Sequence, residues 1–171
     1  SSPTDAFEAS RVEKLRAIEA LGIDPWGARF DQHVAIADVL RMPCDLPEDQ
    51  MPRVRIAGRI VGRRPGGKMH FLDLKDWSGQ PTMRELKSEH GGEVEQVPDL
   101  TSRIQVMVGQ RQVGEQNWAL AQHLDLGDLL GVDGRFGKTK RGELTIFAEN
   151  LTFLGKSLSP HPDKFHGAHD M

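Results

Sequence analysis

The sequence predicts a mainly β protein: a five-stranded barrel preceded by an α-helix, with one short helix between the third and fourth strands. Three observations predict it. Aliphatic and polar residues alternate with a period of two in five separate stretches, as half-buried strands require. The first two stretches are joined by Arg64-Pro65-Gly66-Gly67-Lys68, where proline presets one backbone angle and the glycines permit reversal. Apolar residues fall at helical spacing at the N terminus and again between the third and fourth stretches.

Taken in order, residues 4–21 read as a helix. Thr4 suits its cap, Phe7, Val12, Leu15, Ile18 and Leu21 form its apolar stripe, and Gly22 supplies the stop. Glu8, Arg11, Glu13, Lys14, Arg16 and Glu19 are expected on its solvated face. Residues 23–53 hold four prolines and form an ordered connection, with one or two helical turns at 34–40. In the first strand Val54, Ile56 and Ile60 face inward, and Arg53, Arg55, Arg59 and Arg63 face outward. In the second, Leu72 and Leu74 oppose Phe71, Asp73 and Lys75. Residues 80–102 are polar and include Gly91-Gly92, so they read as a long inserted loop. The third strand covers 103–108, with Gln105 outward. A short helix is expected at 115–124, a fourth strand at 129–136, a basic turn at 138–142 and a fifth strand at 143–148. Five strands with a helix between the third and fourth match the OB architecture, a Greek-key barrel. An SH3-like barrel is the alternative; helix placement and strand count favour OB. The expected organisation is a helix and connection at 1–52, the barrel at 53–156 and an exit segment at 157–171.

Composition narrows the function. The chain has 171 residues, 37% of them hydrophobic, which suits one domain with an appended helix. A net charge of −3 excludes a globally basic nucleic-acid binder, so attraction to phosphate must come from a local patch. The lone Cys44 has no internal disulfide partner. No apolar run approaches the ~20 residues of a membrane-spanning helix, and no signal-peptide pattern opens the chain. A cytoplasmic location is the expectation.

Such a patch is available. From Arg53 to Lys68 there are six cations and no carboxylate, and Phe71 sits beside them among polar residues. Cations tracking a phosphate backbone, next to a ring on which a base can stack, suit single-stranded nucleic acid. The plainer reading is a solvated hairpin with Phe71 tucked under a loop, and on these residues alone the two stand level. His161, Asp163, His166 and His169 have no standard metal-ligand spacing, so no metal site is expected. Trp118 reads as core. Trp77 either extends the stacking surface or covers the barrel mouth.

Several segments resemble a known family in its order: RVEKLRAIEALGIDPWGARF at 11–30, the hairpin at 54–79, LGDLLGVDG at 126–134, KTKRGEL at 138–144 and LTFLGKSLSPHPDKFHG at 151–167. They resemble the N-terminal anticodon-binding region of bacterial-type lysyl-tRNA synthetases, which are class II aminoacyl-tRNA synthetases. The chain departs from that pattern at Trp26-Gly27, at His161 and in the insertion 80–102. The resemblance implies an anticodon built around uridines. Phe71 matches the ring that stacks on the central uridine, and Arg64 and Gln105 match the side chains that hydrogen-bond it. Glu143 matches the carboxylate that reads a neighbouring base, and Arg59 is placed near phosphates or a base.

The chemistry agrees. Uracil offers two acceptors and one N–H donor. Arginine donates to the former, and glutamine serves both. A carboxylate such as Glu143 repels phosphate but accepts an N–H; otherwise it is a surface ion pair with Lys140 or Arg141, worth under about 1 kcal/mol. The resemblance further implies a homodimeric parent enzyme that joins lysine to its tRNA using ATP and magnesium. No cofactor and no catalysis are expected of these residues alone. The alternative function is a sequence-tolerant single-strand binder of the OB type. The related aspartyl and asparaginyl synthetases fit the KTKRGEL turn and the PDKFHG exit less well.

Overall fold

The structure is a computed structural model in which residues 3–79, 82–87 and 94–157 are described. In chain order the elements are α1 (Pro3–Ala20), α2 (Ile36–Val39), a single 3-10 turn (Glu48–Gln50), β1 (Arg53–Arg64), β2 (Met69–Asp76), β3 (Thr82–Lys87) and β4 (Val94–Asp99). There follow β5 (Ser102–Gly109), α3 (Gln110–Val113), α4 (Glu115–Gln122), β6 (Leu129–Lys138) and β7 (Leu144–Gly155). Five strands close into a barrel in the order β1-β2-β5-β7-β6. All pairs are antiparallel except β5 with β7, which is parallel. This is the expected five-stranded OB barrel, with its helices between the third and fourth barrel strands.

β1 closes the barrel because it is long enough to serve two partners. Arg53 to Arg59 pair with β6, and Arg59 to Arg64 pair with β2. Between Ile60 and Gly62 the pairing slips by one residue: Ile60 lies opposite Leu74, and Gly62 lies opposite Asp73. A bulge of this kind inverts the inward–outward sequence beyond it. Gly62 permits it, since a Cβ there would sit 2.4 Å from an Asp73 carboxylate oxygen. The slip corrects one expectation. Arg63 now pairs opposite the buried Leu72 and turns under the barrel, with its Nη2 3.5 and 3.4 Å from the carbonyl oxygens of Ala121 and Gln122 at the end of α4. Arg64 takes the outer face, opposite Phe71.

The barrel interior is filled by alternate residues of every barrel strand, among them Ile56, Ile60, Leu72, Leu74, Val106, Leu130, Phe136, Ile146 and Phe153. Trp118 and Leu120 of α4 join this core. Burial of each such side chain contributes roughly 1.5–3 kcal/mol.

Two further expectations are corrected. The stretch 80–102 contains an antiparallel hairpin, β3 with β4, forming its own two-stranded sheet. Such a pair is made by backbone hydrogen bonds and needs no apolar period, so polar composition hid it. On α1, Arg11 is only 3% exposed rather than solvated. It follows Phe7 by four residues and precedes Leu15 by four and Ile18 by seven, which places it on the packed seam. Its guanidinium meets Asp125 at 2.9 Å and Asp128 at 3.7 Å. Gly22 ends the helix at φ +81°, donating to the Glu19 carbonyl at 2.9 Å. The histidines of the exit segment, His161, His166 and His169, lie outside the described residues.

Candidate nucleic-acid interface

The cations of the hairpin do not form one patch. Arg53 reaches Glu149 at 3.6 Å. Arg55 donates to both Asp133 oxygens at 3.1 and 3.0 Å and stacks over Phe30 at 3.7 Å. Arg63 is turned inward. Burial lowers its pKa, with Asp128 opposing that shift. Opposite charges thus neutralise the start of β1, and the free positive charge shifts toward its end.

At that end lies a cavity of about 400 Å³ on the outer barrel wall. Four predicted site residues line it: Arg64 at the end of β1, Phe71 on β2, Gln105 on β5 and Glu143 ahead of β7. Met107 and the turn residues Thr139, Lys140 and Arg141 complete it. The pairing explains the convergence. Phe71 lies opposite Arg64 on one side and Met107 on the other, and the parallel ladder sets Gln105 beside Thr145.

Hydrogen bonds fix the polar wall. Arg64 Nη2 donates to Gln105 Oε1 at 2.7 Å, Gln105 Nε2 donates to Thr145 Oγ1 at 3.0 Å, and that hydroxyl donates to the Glu143 carbonyl at 3.1 Å. Guanidinium only donates, so the Gln105 oxygen must face Arg64 and its amide nitrogen must face Thr145. Gln105 is 8% exposed and Thr145 fully buried, so each has its orientation enforced by its partners. The Arg64 guanidinium also stands over Phe71, 5.1 Å from the ring centre.

The basic turn is equally determined. Thr139 N–H donates to the Glu143 carbonyl at 3.0 Å, and Glu143 N–H donates to Thr139 Oγ1 at 3.2 Å. Lys138 is drawn away to Asp45 at 3.0 Å, a contact that raises its pKa. The Glu143 side chain is exposed, and among the described residues no cation pairs with it within 4 Å. The surface ion pair weighed for it is therefore not formed.

Beneath the site, His70 is buried and tilts against Trp118 with ring centres 4.5 Å apart. Burial first, and Arg63 second, lower its pKa, so its imidazole is neutral at neutral pH. It supports the floor and does not reach the cavity. Arg59 is not a wall of the cavity either. It is exposed, donates to the Gly127 carbonyl at 2.8 Å and sits opposite Lys75, four residues along β2 from Phe71. Sequence reasoning missed Thr145 and Met107. Each shares outward parity with a predicted residue two positions before it, Glu143 and Gln105 respectively, which was the available sign.

No family model matches the chain. Individual proteins do. The chain is 37% identical over 161 residues to a lysine–tRNA ligase of Latilactobacillus sakei, covering 92% of this chain. It is 35% identical over 165 residues to that of Streptococcus pyogenes and 34% identical over 165 to that of Bacillus thuringiensis, covering 94% of this chain in both. It is homologous to the lysine–tRNA ligases. The chain spans 27–29% of the length of these ligases, so the likeness is to one domain-sized part of them. Among the described residues no helix is long and apolar enough to cross a membrane.

Proposed function

We propose that this chain is the anticodon-reading part of a lysine–tRNA ligase and binds the uridine-rich anticodon loop of a lysine tRNA. One observation carries the reading: an outward aromatic ring, a fixed arginine–glutamine pair and an unpaired carboxylate line a single cavity. A splayed uridine stacks on Phe71, roughly 1–3 kcal/mol of binding. Arg64 donates to a uracil carbonyl, leaving its contact with the ring to the entering base. The second N–H and lone pair of Gln105 remain available to the same edge. Glu143 accepts from the exocyclic or ring N–H of a neighbouring base. Lys140 and Arg141 face the phosphates.

The whole protein, on the same reading, joins lysine to tRNA with ATP and magnesium in the cytoplasm, as a homodimer. None of that chemistry is assigned to the residues described.

The test is a titration with two anticodon stem-loops, one with three consecutive uridines and one whose central uridine is cytidine. Cytosine puts an amino donor where uracil has a carbonyl, so Arg64 would face a donor. The cytidine loop is expected to bind about tenfold or more weaker, the loss of one charge-assisted hydrogen bond. Equal affinities reject anticodon reading and leave a sequence-tolerant single-strand binder.

A further inference from the structure

Trp77 is 79% exposed, yet the residues on either side of it are anchored. Asp76 Oδ2 accepts from Ile36 N–H at 2.9 Å, and Ser78 Oγ accepts from Ala37 N–H at 3.1 Å. The Ser78 N–H and hydroxyl both donate to Asp76 Oδ1. The two neighbours therefore turn inward to satisfy the first turn of α2, and alternation turns Trp77 outward. Both Asp76 carboxylate oxygens are thereby engaged, Oδ2 by Ile36 and Oδ1 by Ser78.

The indole lines a second cavity, of about 270 Å³, with Arg59, Lys75, Asp76, Leu129 and Leu154. Arg59 and Lys75 lie directly opposite each other across the β1–β2 pair. Trp77 shares the outward parity of Phe71 and lies six residues from it, about 20 Å along an extended strand. That separation falls within the roughly 4–16 nucleotides a single OB fold engages.

We propose that Trp77, Arg59 and Lys75 form a second nucleotide subsite, in which the indole stacks one base and the cations hold its phosphate. The proposal rests on the anticodon-loop reading and extends it to a flanking nucleotide. Among the described residues that line the indole's cavity, the polar ones are Arg59, Lys75 and Asp76. The Asp76 oxygens already accept from Ile36 and Ser78, so no free donor–acceptor pair comparable to Arg64–Gln105 faces a base there. The subsite accordingly binds without reading base identity.

The experiment measures the affinity of the full 171-residue chain for the uridine and cytidine stem-loops by fluorescence anisotropy of labelled RNA. Trp77→Ala is expected to weaken both loops by the same factor, about 5- to 100-fold, leaving their ratio unchanged. Trp77→Phe keeps a ring and restores most of the loss. Trp26→Ala, which removes another exposed indole at 83% exposure that is not part of this cavity, leaves binding unchanged. Unchanged binding in Trp77→Ala, alongside a loss in Phe71→Ala, overturns the subsite while the anticodon reading stands. Such a result points to a protein surface covering Trp77 instead. A change in the uridine-to-cytidine ratio in Trp77→Ala overturns base-independent stacking. A melting temperature far below the parent's overturns it too, by giving Trp77 a structural role. If the parent chain binds neither loop, both readings fall.

Discussion

At the scale of single residues, the cavity depends on which side chains hold its polar wall still. Gln105 has an amide that could point either way, and its orientation comes from two neighbours of opposite character. Arg64 donates to it and Thr145 accepts from it. Thr145→Val keeps the shape and deletes the hydroxyl, leaving a Gln105 N–H buried without a partner. The variant is expected to lose about 1–3 kcal/mol of stability in a denaturant titration. On the proposed anticodon reading, its affinity should fall more for the uridine loop than for the cytidine loop, because Gln105 is loosened while the Phe71 face is untouched. An unchanged ratio would mean Gln105 is held by other contacts. This arrangement was only half legible in the sequence. Outward parity was visible for Gln105, Thr145 and Glu143, but nothing local says that β5 and β7 lie side by side.

At the scale of elements, two features depart from simple alternation. The bulge at Val61 exchanges the faces of Arg63 and Arg64, sending one cation under α4 and the other to the cavity. Period-two reasoning cannot see a bulge from apolar spacing, because the residues beyond it are arginines and a turn. The second feature is the β3–β4 hairpin. It leaves and rejoins the barrel where Gly79 N–H donates to the Leu100 carbonyl at 2.8 Å. The two ends are thus already adjacent, and loop-closure cost changes only slowly with length. Replacing residues 80–99 by two glycines is expected to leave a cooperative thermal transition by circular dichroism and the same stem-loop affinity. A lost transition would make the hairpin part of the barrel's support.

At the scale of the molecule, a buried ion cluster joins the parts. Asp128 is fully buried and meets Lys156 at 2.6 Å, Arg11 at 3.7 Å and the Ser157 N–H at 2.9 Å. Asp125 receives Arg11, Lys14 and Lys156 at 2.9, 2.6 and 3.0 Å. Helix α1, the loop before β6 and the end of β7 therefore meet at one point. Burial raises the Asp128 pKa, and Lys156 and Arg11 pull it back; burial lowers that of Lys156, and Asp128 opposes the shift. Removing one partner leaves charge buried and uncompensated. Lys156→Met is expected to cost about 3–5 kcal/mol, read as a lower urea midpoint with an unchanged slope. A loss below about 1 kcal/mol would show that the cluster behaves as a solvated surface pair.

The sequence by itself determined the five barrel strands, the N-terminal helix, the apolar interior and the presence of an aromatic among cations. These follow from local periodicity, which a chain segment expresses wherever it is placed. Tertiary structure alone decided which cations line the cavity. Opposite charges on β6 and β7 neutralise Arg53 and Arg55, the bulge selects Arg64 over Arg63, and the parallel β5–β7 ladder brings Gln105 to Thr145 and Glu143. Each depends on contacts between residues far apart in the chain, and no spacing within one segment encodes them.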